Sequence, residues 1–261
     1  MHNPHHHISG FVVRPLNTTG YVAAPPVPQI TRGIYSFFYL KSGEVLTEVG
    51  EESFLMGANS FLLIPPEVRY SVKWYDNACA MMGAFEESFI TDPSCGLMRV
   101  KKGVMCKINE TDVSLVAATM DKLLREQEKP HVAQFTLNYL LHLLSEHFVA
   151  DEHEHEQIAV KFVDEVFDRT QPLKTIAEYA EAYGVTPGHL NKVVRIRTGR
   201  SASEWVQVSR LNYAKYLLRD TSLPVIDVAA QVGLFDQSYF ARFFKKHTGM
   251  SPIEYRVKTH Q

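Results

Sequence analysis

Val228-Ala229-Ala230-Gln231-Val232-Gly233-Leu234-Phe235-Asp236-Gln237-Ser238-Tyr239-Phe240-Ala241-Arg242-Phe243-Phe244-Lys245-Lys246-His247-Thr248-Gly249-Met250-Ser251-Pro252-Ile253-Glu254-Tyr255-Arg256 is the run of this 261-residue chain that decides its architecture, because it occurs twice in diverged form. The segment from Ile176 to Trp205 repeats it. At an offset of 50, Leu190 matches Phe240, Lys192 matches Arg242, Val194 matches Phe244, Thr198-Gly199 matches Thr248-Gly249, and Trp205 matches Tyr255. Upstream the offset falls to 49, so that Ala180 matches Ala229 and Gly184 matches Gly233. The odd residue therefore lies in a turn. An internal repeat of two helices around a glycine is the pattern of a duplicated helix-turn-helix.

Each copy has the parts such a unit needs. Ala180 and Ala229 are small enough for two helices to cross closely, and Gly184 and Gly233 are free to take the left-handed conformation that ends the leading helix. Thr186-Pro187 and Asp236 supply the N-cap of the second helix, with a first-turn proline in the first copy. Leu190 with Val194, and Phe240 with Phe244, are (i, i+4) pairs that turn one face inward and leave the other polar. Ser201-Ala202-Ser203-Glu204 and Ser251-Pro252-Ile253-Glu254 are capping-box patterns. Between the copies, Trp205, Val208, Leu211, Ala214, Leu217 and Leu218 predict one long amphipathic helix that spaces the two recognition helices.

The run quoted above, with its tandem spacing, resembles the signature of the AraC/XylS family of bacterial transcription regulators over about Ile158 to Arg256. The resemblance implies a seven-helix domain whose two recognition helices enter neighbouring major-groove segments of double-stranded DNA. Base contacts are expected from the exposed face near the start of each recognition helix. That selects Gln237, Ser238 and Arg242, with Lys245 and Lys246 on phosphate, and Asn191, Lys192 and Arg195 in the first copy. Gly188 stands where the family often has a larger side chain, and Val194 where an aromatic is usual, which weakens the case for base reading by the first copy.

Charge supports one DNA-facing half. The net charge of −2 conceals 12 Lys+Arg against 19 Asp+Glu in residues 1–156, and 15 against 10 in residues 157–261. A net charge of −7 beside one of +5 is expected when only the second half meets phosphate.

Upstream, short apolar runs alternate with turn signals. Gly33 to Leu40, the turn Lys41-Ser42-Gly43 and Glu44 to Val49 read as a hairpin. Further runs come at Ser53–Met56, Ser60–Ile64, Arg69–Trp74 and, after Asp76-Asn77, Ala78–Phe85. They predict an antiparallel β-sandwich or small barrel, similar in pattern and position to the cupin-like sensor domain of many family members. The fold class is thus α+β with two domains: 1–150, a linker at 151–157, and 158–261. Val113, Val116, Met120, Leu123 and Leu124 mark one helix, and a second spans about Val132 to Phe148. The second is apolar on two faces. Leu137, Leu141, Leu144 and Phe148, continuing from Ala133, form one stripe, and Val132, Phe135, Tyr139 and Leu143 form the other. The first stripe is the candidate homodimer contact, with burial inside one subunit as the alternative.

Function is expected to be binding, not catalysis. A metal-dependent cupin needs His and carboxylate ligands on its strands, yet no His occurs between His7 and His131, so no metal or cofactor is expected. The clusters His5-His6-His7 and His153-x-His155 read as solvated residues. Cys79, Cys95 and Cys106 have no C-x-x-C spacing and read as buried thiols. No apolar run is long enough to cross a membrane, and Met1 to His7 lacks a signal-peptide core, so a cytoplasmic location is expected. A small-molecule effector would enter the barrel mouth near Tyr35, Phe37, Arg69, Tyr70 and Trp74, although these aromatics equally suit plain barrel filling. The readings left open are an activator that answers an effector and engages RNA polymerase, an effector-independent regulator whose first domain only dimerises or binds another protein, and, disfavoured by the missing strand histidines, a cupin enzyme with an accessory DNA-binding domain.

Overall fold

The computed structural model describes residues 10–18, 29–92, 95–99, 101–147, 154–168 and 173–259. His5, His6, His7, Phe148 and His153 lie outside them. The described residues form two compact units by contact, one within 10–147 and the other within 154–259.

The first unit is built on a six-stranded antiparallel sheet. Its strands are β1 (Phe11–Asn17), β2 (Ile34–Val49), β3 (Glu52–Met56), β4 (Ser60–Ile64), β5 (Tyr70–Glu86) and β6 (Val104–Lys107). The order is β1-β5-β2-β4-β6, with β3 also paired to β2. Two of the expected turns are not turns. Lys41-Ser42-Gly43 lies inside the continuous strand β2, and Asp76-Asn77 inside β5, so the expected first hairpin is a single long strand.

The two signals face each other across the β2–β5 ladder, where the register slips between Leu40 and Ser42 and again between Ser42 and Glu44. Gly43 has φ +84° and Asn77 φ 44°. A Cβ at Gly43 would overlap the carbonyl oxygens of Asp76 and Asn77. Glycine at a bulge lets two backbones approach and bends both strands together, which curls the sheet without ending it.

Alternation along the bent strands gives the sheet two apolar faces. Phe37, Tyr39, Phe61, Leu63, Met81 and Phe85 join one buried cluster with α1 (Val113–Glu126) and α2 (Pro130–Ser145). Phe38, Leu40, Leu62, Ile64, Tyr70 and Ala80 belong to the other. Val116, Met120 and Leu123 face the sheet from α1 as the periodicity predicts. Asn138 of α2 pins the segment after β5, donating from Nδ2 to the Phe89 carbonyl at 2.7 Å and accepting from the Thr91 amide at 2.8 Å.

The stripe expected to meet a second subunit is instead the inner one. Leu137, Leu141 and Leu144 are fully buried in their own unit's core, because the sheet face needs a cover and this stripe supplies it. The other stripe is the open one, with Phe135 72% exposed and Tyr139 51% exposed.

The second unit is all helix: α3 (Glu154–Phe167), α4 (Ile176–Ala182), α5 (Pro187–Thr198), α6 (Ala202–Asp220), α7 (Val225–Gln231), α8 (Gln237–Thr248) and α9 (Pro252–Thr259). The expected linker at 151–157 is shorter than its sequence suggests, since α3 already starts at Glu154. Acidic residues favour a helix N-terminus, and Ala159, Phe162, Val163 and Val166, all buried, anchor the rest of α3.

Candidate DNA interface

In the first copy, Thr175 and Glu178 form a reciprocal capping box that starts α4. The chain turns at Gly184 (φ 66°), and Thr186 caps α5 by accepting from the His189 amide at 3.2 Å. In the second copy α7 turns at Gly233 (φ 73°), and the Asp236 carboxylate caps α8 by accepting from the Tyr239 amide at 2.8 Å. A side chain at either positive φ would strain the turn that fixes the angle between the two helices.

The helix α6 joins the copies. Its 19 residues amount to about 28 Å at 1.5 Å each. Ser201 and Glu204 cap it reciprocally, and Ser251 and Glu254 exchange the same pair of bonds before α9. Those hydrogen bonds hold the carboxyls of Glu204 and Glu254 below the usual carboxylate range. The first half of α6 serves the first copy. Trp205 is fully buried, donates from Nε1 to Thr198 Oγ1 at 2.8 Å, and meets the Phe167 ring edge-on at 6.1 Å. Ser209 Oγ donates to the Val166 carbonyl at 2.6 Å and ties α6 to α3. The second half serves the other copy, where Ala214, Leu217 and Leu218 share a cluster with Val228, Ala229, Phe240 and Phe244.

Each recognition helix is thereby held by one face. Leu190 and Val194 of α5 are fully buried, as are Phe240 and Phe244 of α8, whose rings sit 5.8 Å apart. The opposite face of α8 carries Ser238, Arg242, Lys245 and Lys246, and Gln237 stands at its leading end, every one exposed. On α5, Lys192 and Arg195 are exposed while Asn191 is half-buried, its Nδ2 donating to the Pro187 carbonyl of its own helix at 3.0 Å. Arg195 pairs with Glu204 at 3.3 Å, an exposed contact weak enough to be exchanged for a phosphate. Gly188 leaves open space at the tip of α5, with nothing within 4 Å of where a Cβ would stand. Behind the face, His247 lies against the Phe243 ring at 4.7 Å; burial, together with Lys246 and Lys215, lowers its pKa and favours the neutral ring.

The aromatics singled out in the first unit do not converge. Tyr35 and Phe37 face α1 and α2, Tyr70 faces the other side of the sheet, Trp74 is buried and Arg69 is exposed. A small apolar cavity of about 30 Å³, partly open to solvent, lies among Phe38, Leu40, Val45, Val72, Tyr75 and Ala80. None of the five expected residues lines it. On β2, Phe37 and Phe38 are neighbours and so face opposite sides of the sheet, Phe37 toward the helices and Phe38 toward this cavity. No group of three or more His, Cys, Asp or Glu that could hold a metal occurs among the described residues. No described helix is long and apolar enough to cross a membrane.

A family described as a helix-turn-helix domain matches residues 179–258. The arabinose operon regulatory protein of Salmonella typhimurium is 40% identical over 82 residues, which cover 31% of this chain and 29% of the relative. The transcriptional activator RhaR of Yersinia pseudotuberculosis is 32% identical over 83 residues, 32% of this chain and 29% of that one. The matched segment thus spans under a third of these relatives' length. Among solved structures, ToxT of Vibrio cholerae aligns over 96% of this chain and 98% of its own at 16% identity, with a TM-score of 0.38. The matched residues run from α4 through α9, so the second unit of this chain carries a helix-turn-helix domain, present as two copies joined by α6.

Proposed function

We propose that the chain is a sequence-specific transcription regulator of the cytoplasm that binds promoter DNA through α5 and α8. The observation that carries this reading is the division of α8. Two buried phenylalanines fix its back, while Ser238, Arg242, Lys245 and Lys246 stand exposed on its front and Gln237 at its leading end. Gln matches the edge of adenine and Arg the edge of guanine in the major groove, whereas the lysines suit phosphate. On α5 the bare tip at Gly188 favours phosphate contact through Lys192 and Arg195 over base reading.

The first unit serves as sensor and assembly module. A small effector would have to widen the apolar cavity beside Phe38 and Tyr75, and its higher affinity for that widened state shifts the population able to engage operator DNA and RNA polymerase. A homodimer would use the open stripe of α2 at Phe135 and Tyr139, the apolar surface that this helix leaves uncovered. Activation is the mode of the relative named RhaR, and we infer the same here.

Arg242→Ala tests the assignment of the recognition face. It should weaken binding to a selected duplex by roughly 1 to 3 kcal/mol and flatten the preference at one base position. Equilibrium titration against duplexes varied at each position reads this out. An unchanged preference at every position removes Arg242 from base reading.

A further inference from the structure

We propose that Phe235 is a specificity-determining residue of the second recognition helix, reading the C5-methyl group of a thymine in the major groove. The inference rests on the DNA-binding reading above and adds a residue that the helix periodicity does not select.

Phe235 is the odd residue of the repeat. In the first turn the Val185 amide donates to the Ala180 carbonyl at 2.9 Å, and in the second the Leu234 amide donates to the Ala229 carbonyl at 2.9 Å. These bonds align Val185 with Leu234. The caps align Thr186 with Asp236, since each accepts from the amide three residues on. Phe235 falls between, with no counterpart in the first copy.

The residue just before an N-cap commonly packs down on the helix's fourth residue, which in α8 is Phe240. Here Leu234 takes that inward place and belongs to the cluster around Phe240. The extra residue is thrown outward, and Phe235 is left 83% exposed, more than any other exposed large hydrophobic side chain among the described residues. It supports no core.

The surroundings of the ring indicate its cover. Next in the chain come Asp236 and then Gln237 and Ser238, exposed at the leading end of α8, and the same helix carries Arg242, Lys245 and Lys246, likewise exposed. A cationic surface of this kind fits a polyanion, and the apolar feature that a duplex presents in its major groove is the thymine methyl. A protein surface would also cover a phenyl ring, but the exposed arginine and lysines carried further along the same helix favour the nucleic acid.

The test uses the full chain. A pool of random duplexes is first selected for binding, and each thymine of the enriched site is then replaced by deoxyuridine, which removes only the methyl. The wild type should lose about fourfold in affinity at one position, the worth of one buried methyl group. Phe235→Ala should bind the two duplexes equally, while Phe235→Leu should keep part of the difference. Equal methyl dependence in wild type and Phe235→Ala, or none in the wild type, overturns the assignment while leaving DNA binding intact. A pool from which no duplex is enriched overturns the DNA-binding reading itself, and this inference with it.

Discussion

Trp205→Ala should cost the second unit about 3 to 5 kcal/mol of stability, the range for emptying a fully buried large aromatic site. The side chain is enclosed on several sides. Its indole N–H bonds Thr198 at the end of α5, its ring meets Phe167 of α3, and the Arg200 guanidinium lies 4.9 Å from its centre. Truncation therefore opens a cavity, takes the indole donor away from the Thr198 hydroxyl and loosens three helices at once. A domain's whole stability is only about 5 to 15 kcal/mol, so much of it disappears. Loss of the helical circular-dichroism band on heating the full chain should begin well below that of the wild type. Ile253→Ala, at an exposed position on α9, is the control and should stay within about 0.5 kcal/mol. A Trp205→Ala chain that melts like the control would mean that α6 does not hold the first recognition helix.

The second large effect is that of salt. If about six phosphates are neutralised, the slope of log affinity against log salt should be near −5, because each contact releases close to one counterion. A fourfold rise in salt then lowers affinity by about a thousandfold. Lys245 and Lys246 stand exposed at the far end of α8, and replacing both by Gln should flatten the slope by about two. Isothermal titration across a salt series measures it. A slope near zero contradicts phosphate-driven binding.

The second unit was legible because its signals are local and repeated. Gly184 and Gly233, the caps at Thr186 and Asp236, and the inward pairs Leu190–Val194 and Phe240–Phe244 each act within a turn or two of helix. Sequence periodicity reports such contacts directly. The first unit was legible as antiparallel β, and less so in detail. Lys41-Ser42-Gly43 has the composition of a turn, and only the facing residues Asp76 and Asn77 make it a bend between two long strands. That pairing is long-range and invisible to a local reading. The edge strands β1 and β6 were missed because both stand apart from the regular run of strands and β6 has only four residues, although Phe11 and Val13 alternate inward. On α2, both stripes are apolar, and which one the sheet covers depends on packing that the sequence alone does not encode. Where a cavity opens is equally hard to read locally, since Phe37 and Phe38 differ by one residue and face opposite sides of the sheet.

Hydroxyl-radical footprinting of the full chain on its selected duplex is the most direct test that both recognition helices engage one site. Two protected stretches are expected on the same face of the duplex, centred about 10 base pairs apart, one turn of the double helix. Lys192→Ala together with Arg195→Ala should fade one stretch and Arg242→Ala the other. A single protected stretch, or two on opposite faces, would contradict engagement of one site by both helices.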